Sequence, residues 1–451
     1  MITLARADAR RFRAVTRRCL PSSGPRGPAP PVRVVAQKDS LTYTAYFGEV
    51  VVAYCVRAQS TESETIALGL AALAAFEGAA GIVTLEQTHQ GTVTACWEGG
   101  TAKFDPVALE LSDPGVPQAL TSQPTSFLTA LHEAGRTTAR DLSRYALTRI
   151  QLKGRTGQIS GSDGKQALVL GGFTFPFHDD LLVPAIPVFG TKELLTHAEL
   201  GIGVADDWLY VTAGPWHIWL QRDGEGRFPD IAAAVPRAVT NRVTIADADA
   251  AKLIAVLAHL PGAGSADSPL TLDLSGQVTV RMRSDDGAPV TEVALPDSAS
   301  SGAPTRIVLS GAHLGRALML GFRELQFAGP ERPITARDHD RLYLSATLDP
   351  ASAIAPESAP ANPQPVRRTL VRNRQNPLPD ANGHADANGV SDPLPTGELI
   401  DPLVEAEGLR AALTEAAARA TRLVTSLKQF RRERRALVSA WSSLKQLNLG
   451  P

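Results

Sequence analysis

Three times in succession the chain runs through a helix, a three-stranded meander, a second helical stretch and another meander, each pass taking about 110 residues. In the first pass a short strand at 1–4 leads into a helix from about Arg6 to Leu20. Strands at 32–37, 41–47 and 50–56, a helix over 66–76 and strands at 81–88, 92–97 and 101–107 follow. The second pass opens with a helix over 127–145 and continues through strands at 150–153, 157–160 and 167–170. A segment at 182–187, a short helix near 192–195 and strands at 201–204, 208–213 and 216–220 complete it. The third takes a strand at 242–245, a helix over 247–260, strands at 270–274, 278–284, 290–295 and 307–309, a helix over 313–322, and strands at 325–328, 334–337 and 342–347. One supersecondary unit used three times predicts an α+β chain of three domains, with helices on one face of antiparallel sheets. The boundaries fall at 1–118, 119–237 and 238–350.

At 451 residues the chain exceeds what one core serves, in keeping with that count. Its formal net charge is -1, so nothing draws it as a whole to nucleic acid and any such contact must come from clustered charge. Cys19, Cys55 and Cys96 lack metal-ligand spacing and cannot pair completely, which predicts buried thiols in a reducing cytoplasm. No apolar run reaches the roughly 20 residues of a membrane span, and the arginine-bearing N-terminus lacks a secretory apolar core.

Charge clusters on two helices. At about 100° per residue, Arg6, Arg10, Arg13 and Arg17 share one face of the first helix, with Arg11 and Arg18 beside them and Phe12, Val15 and Cys19 opposite. The helix over 127–145 places Arg136 and Arg140 opposite Phe127, Leu131, Ala134 and Leu142, with Arg144 at the edge. The third counterpart begins Asp247-Ala248-Asp249 and offers only Lys252 and His259.

Between the second and third passes, Trp216 to Pro236 reads WHIWLQRDGEGRFPDIAAAVP: a strand with one buried face, a turn, then a Gly-Arg-Phe-Pro-Asp run ending in Val235-Pro236. Arg144-Tyr145-Ala146-Leu147-Thr148 followed by Ser162-Asp163-Gly164-Lys165-Gln166 is a second marker, and Asp340-Arg341-Leu342-Tyr343-Leu344 a third. Taken in chain order, over residues 1 to about 350, they resemble the bacterial DNA polymerase III β sliding clamp family.

The resemblance implies three sliding-clamp-like domains per chain and a head-to-tail homodimeric ring, with helices lining the hole and sheets outside. It implies double-stranded DNA as a partner, with polymerase or repair proteins and a clamp loader, and neither a catalytic residue nor a cofactor. Phosphates in a sliding lumen are met by charge without base readout, a task suited to Arg6, Arg10, Arg13, Arg17, Arg136, Arg140 and Arg144. Arg26 matches a loop arginine the family uses on DNA. The family's pocket for a Gln-Leu-x-Leu-Phe peptide maps onto Leu147, Ser162, Gly164, Lys165, Gln166, Ala167, Pro229, Ala234, Leu344 and Ala346. Lys165 stands there for a His, Gln166 for an Arg and Ala167 for a Leu, which puts the usual peptides in question.

Beyond residue 350 the resemblance ends. Residues 351–400 are rich in Pro, Asn, Ala and Asp and read as a disordered linker, with Arg367, Arg368, Arg372 and Arg374 solvated within it. Within 401–451, Leu409, Leu413, Ala416, Ala420, Leu423, Leu427, Phe430, Leu437, Trp441 and Leu444 form a heptad seam, broken only by Arg434, that predicts a long coiled-coil helix. Lys428, Arg431, Arg432 and Arg435 charge its second half, and Gln446-Leu447-Asn448-Leu449 is similar to the start of a clamp-binding peptide.

An enzyme needs a cluster that the sequence does not supply. His178-Asp179-Asp180 and His339-Asp340 have no second His at helical spacing, Ser160 to Gly164 lacks the first glycine of a nucleophile elbow, and no phosphate-cradling Gly-Lys-Ser/Thr run occurs. Two readings follow. One is a DNA-encircling processivity factor that tethers replication or repair proteins to duplex DNA; the other is a clamp-fold scaffold acting through its coiled coil.

Overall fold

The computed structural model describes residues 1–19, 30–58, 63–105, 107, 113–141, 146–224, 226–259, 268–283 and 289–356. Arg26, Arg144, the heptad helix and the linker beyond residue 356 lie outside the described residues.

The first repeat contains β1 (Ile2–Ala5), α1 (Arg6–Thr16), β2 (Pro31–Gln37), β3 (Ser40–Tyr46), β4 (Val50–Arg57), β5 (Glu64–Gly69), α2 (Leu73–Phe76), β6 (Ile82–Gln87), β7 (Val93–Trp97) and β8 (Gly100–Phe104). The second contains β9 (Thr121–Gln123), α3 (Ser126–Thr137), β10 (Arg149–Lys153), β11 (Gln158–Ser162), β12 (Gln166–Leu170), β13 (Asp180–Pro184), α4 (Lys192–Leu195), β14 (Leu200–Ala205), β15 (Trp208–Ala213) and β16 (Trp216–Gln221). A connection bearing α5 (Ile231–Ala234) leads to the third. That repeat holds β17 (Asn241–Thr244), α6 (Asp247–His259), β18 (Pro269–Asp273), β19 (Thr279–Met282), β20 (Thr291–Ala294), β21 (Ala299–Ser301), β22 (Arg306–Ser310), α7 (Gly311–Met319), β23 (Glu324–Phe327), β24 (Ile334–Asp338) and β25 (Arg341–Ser345).

Only the first repeat differs from expectation by a strand on its leading meander. A fourth strand turns back onto the first of each leading meander: β5 on β2, β13 on β10 and β22 on β18. The helix expected over 66–76 is β5 followed by the single turn of α2, because Ile66 and Leu68 alternate with Thr65 and Ala67 and bury one face against Val34 and Val32. The helix expected over 127–145 stops at Thr137. Thr137 Oγ1 donates to Glu133 O at 2.9 Å and Thr138 Oγ1 to Gly135 O at 2.8 Å, which satisfies terminal carbonyls without another turn. Likewise α1 ends at Thr16, whose hydroxyl donates to Phe12 O at 2.8 Å, and not at Leu20. The short strands β9 and β21 had no sequence expectation.

Each repeat therefore supplies two half-sheets of three meander strands plus one, with β21 added beyond β17 in the third, and successive repeats fuse through the third strands of their meanders. β4 pairs antiparallel with β16 from Trp216↔Tyr54 to Leu220↔Val50, and β12 with β25 from Gln166↔Ser345 to Leu170↔Arg341. The equivalent third strands of the two outer half-sheets are β8 and β20, and among the described residues both are edges.

Apolar side chains between sheets and helices hold the layers. Trp216 opens β16 almost wholly buried, 4.4 Å from Tyr54 and 6.4 Å from Phe12 of α1 between ring centroids, so one residue of the second repeat closes the core of the first. Cys19 is buried too, which raises its thiol pKa to about 12, whereas Cys55 is half-buried and Cys96 exposed, against the expectation of three buried thiols. Residues past β25 stay attached through a 3-10 turn, Pro350–Ser352, and Ile354 N–H donates to Thr271 Oγ1 at 2.8 Å, so the first residues of the segment expected as linker from 351 are held against β18.

Candidate nucleic-acid interface and partner pocket

The arginine stripe of α1 divides in two. Arg6 is turned inward: its Nε donates to Phe76 O at 2.8 Å and Nη2 to Glu77 O at 3.3 Å, capping α2. Its guanidinium also lies 5.9 Å from the centre of the Trp97 ring. Arg13 pairs with Glu77 at 2.7 Å. Arg11 donates to Tyr54 Oη at 2.6 Å and to Asp8 at 3.1 Å. Arg10 and Arg17 are exposed and meet no carboxylate among the described residues.

The helices of neighbouring repeats come close enough for their charges to interact. Arg18, just past the end of α1, stands within electrostatic reach of His132 on α3, and Arg11 of Glu193 on α4. Burial lowers the pKa of His132, opposed by Glu133 and reinforced by Arg136, Arg316 and Arg18. Arg136 is exposed with Glu133 at 3.5 Å, and Arg140, past the end of α3, is exposed with no acidic partner among the described residues. In the third repeat both aspartates that broke the basic pattern have partners, Asp247 at the surface and Asp249 buried. Asp247 pairs with Arg323 at 2.6 Å, while the buried Asp249 accepts from Asp297 N–H at 3.0 Å and Ser298 Oγ at 2.7 Å. The exposed face of α6 is then largely alanine: Ala248, Ala251, Ala255 and Ala258, with Lys252 and His259.

The expected peptide pocket falls at the Gln166↔Ser345 end of the β12·β25 seam. Asp163 organises its turn, accepting from Lys165 N–H and Gln166 N–H, both at 2.8 Å, and from Gln166 Nε2 at 2.9 Å. Ser162 Oγ accepts from Gly164 N–H and donates to Gln166 O, and Ala346 N–H donates to Lys165 O. Gln166 Oε1 accepts from Tyr343 Oη at 2.6 Å, so the amide that replaces an arginine faces inward as a brace between two repeats. Ala167 and Leu344 are buried in one cluster with Ile231 of α5, flanked by Val169, Phe228 and Val235. Pro229 and Ala234 remain exposed and Leu147 half-buried. Ile231, which sequence reasoning passed over, packs with two of the ten expected lining residues. Its signal was an aliphatic side chain one residue past the turn-forming Pro229-Asp230.

No protein-family model and no curated protein matches the chain. Solved structures do. A DNA polymerase III subunit β sliding clamp from Pseudomonas aeruginosa, bound to griselimycin, superposes with a TM-score of 0.64 at 15% identity, over 77% of this chain and 99% of that one. The DNA polymerase III subunit β from Borrelia burgdorferi, in complex with a natural product, gives 0.65 at 12% identity over 77% and 97%. The DNA polymerase sliding clamp from Bacillus subtilis gives 0.64 at 12% identity over 77% and 98%. The fold is that of the bacterial sliding clamp.

On this clamp fold the residues expected at DNA separate by exposure. Arg10, Arg17, Arg136 and Arg140 reach solvent, Arg6 and Arg13 are held by the α2 terminus, and Arg18 joins the exposed group from a position the four-residue stripe left out. Among the described residues no group of three or more His, Cys, Asp or Glu could hold a metal ion, and no helix is long and apolar enough to cross a membrane.

Proposed function

We propose that the protein is a sliding-clamp-like processivity factor of the cytoplasm: two chains close head to tail around duplex DNA and tether replication or repair proteins to it without sequence specificity. One observation carries the reading. Of six half-sheets, four are fused in pairs through the third strands of their meanders, and the two left over, ending in β8 and β20, are of the same kind. A β8·β20 seam between two copies repeats the geometry used twice within each chain and removes both edges, which are otherwise a liability. Arg10, Arg17, Arg18, Arg136 and Arg140 would supply the charge toward phosphates, the alanine face of α6 leaving the third repeat neutral. A ring of this sort holds its partners by topology and needs no catalytic group.

The deciding experiment is retention of the full chain on nicked circular DNA, loaded with its clamp loader or at high protein concentration. Retention lost on linearising the circle supports encirclement. Retention that survives cutting sinks it, and favours the second reading, a clamp-fold scaffold that works through its C-terminal segment. The specific support for that alternative is Ile231, which is buried in one cluster with Ala167 and Leu344, two residues expected to line the partner-peptide pocket.

A further inference from the structure

The β12·β25 seam has a second end. Four ladder steps from Gln166↔Ser345, about 13 Å at ~3.3 Å per residue, the pair Leu170↔Arg341 opens into a cleft of about 520 Å³, within the range of ligand-binding pockets. Val169, Leu342 and Val235 give it an apolar floor, and Lys153, Arg237 and Arg337 stand on its rim. Among the described residues none of these three cations meets a carboxylate, and Arg237 and Arg337 are exposed. Asp340 is the single acidic residue among those lining the cleft, against those three cations and Arg341, which Asp338 engages at 2.5 Å. The wall is fixed in place. Gly171 N–H donates to Asp340 O at 2.8 Å, and His339 holds the adjoining turn in a left-handed conformation, φ 44°, that few non-glycine residues adopt.

Unpaired cations around an apolar floor select one kind of ligand. We propose that this cleft is a second recognition site, distinct from the Gln166 end, for a short acidic peptide carrying aliphatic side chains. A bare phosphate backbone would use the rim and leave Val169, Leu342 and Val235 without partners; an uncharged apolar peptide would leave the cations idle. The α5 connection separates the two ends, with Ile231 reaching toward both. The proposal does not rest on ring formation or on DNA binding.

The test uses the full chain without DNA. Fluorescein-labelled Glu-Asp-Leu-Leu-Asp-Glu is titrated by anisotropy at about 50 mM salt, where screening is modest, beside the same peptide with lysines for its acids, one with serines for its leucines, and a thymidine 12-mer. Saturable binding of the acidic leucine peptide is expected, weakened about tenfold by Arg237→Glu with Arg337→Glu, weakened by the serine replacement, and unchanged by Arg10→Glu with Arg17→Glu. Both cleft arginines are exposed, so the double variant should keep its melting temperature, and Lys153→Glu serves as an independent variant. No saturable binding, or binding that ignores the charge reversals, overturns the proposal. Tighter binding of the thymidine 12-mer, lost in the same variants, also overturns it and makes the cleft a nucleic-acid site.

Discussion

Arg316 on α7 of the third repeat donates through Nη2 to Glu133 on α3 of the second, at 2.7 Å to the backbone oxygen and 3.1 Å to the carboxylate, and to Thr137 Oγ1 at 2.9 Å. The same Thr137 that ends α3 thus helps fasten the next repeat to it. Burial lowers the pKa of Arg316, and Glu133 opposes the shift. Glu133→Ala leaves a buried cation short of its partner, and a loss of about 3 kcal/mol in denaturant unfolding is expected. Arg316→Met should cost less, because it removes charge and desolvation together. If the two variants lose equal stability, the pair is not what joins the repeats.

Arg6 and Arg10 sit four residues apart with opposite assignments. Arg6→Ala should lower stability by about 1–2 kcal/mol through the lost cap on α2 and leave the salt dependence of DNA binding unchanged. Arg10→Glu with Arg17→Glu should leave melting unchanged and reduce the slope of log affinity against log salt by about two, near 0.9 for each phosphate contact removed. A reversed outcome would place the wrong half of the stripe at DNA.

The contrast marks where sequence stops being legible. Meanders could be read because side chains on a strand follow period two: Trp216, Ile218 and Leu220 are all but fully buried in one core cluster, while the intervening Trp219 is buried in a separate one. The threefold plan followed from that regularity. Residues 66–76 misled because Ala-rich apolar sequence satisfies helical spacing as well, and pairing with β2 decided the matter. Helix ends were missed because a threonine hydroxyl bonding back to a carbonyl three or four residues earlier leaves no mark in polarity patterns. The roles of Arg6, Gln166 and Ile231 depend on residues 70, 177 and 113 positions away, namely Phe76, Tyr343 and Leu344, which no local spacing reports.

Asp273 gives the third repeat a pH dependence of its own. Burial raises its pKa, but Ser275 N–H, Arg281 and Arg306 more than reverse this and bring it to about 2. Because the folded value lies below that of an unfolded aspartate, the stabilisation is complete above about pH 4 and is lost as pH falls toward 2. A decline of about 1–2 kcal/mol over that window is expected in the native chain and absent in Asp273→Asn, measured by urea unfolding at stepped pH. An unchanged acid limb in the variant would mean that other carboxylates set it.

The β8 and β20 edges carry the remaining prediction. If they meet between chains, the protein should sediment at twice its chain mass of 47.7 kDa, with dissociation on dilution governed by the two seams. Thr101 on β8 and Thr291 on β20 are exposed, so lysine at either should fold normally. Lysine is also what solitary edge strands use to discourage pairing, and on both sides of one seam it sets like charges against each other in the ladder. Thr101→Lys with Thr291→Lys should therefore sediment as a monomer with unchanged far-ultraviolet circular dichroism, and should lose retention on circular DNA. Truncating the chain after residue 356 supplies the control. A dimer that survives the lysines and disappears with the truncation would assign assembly to the C-terminal heptads, leaving the two strand edges unjoined in solution.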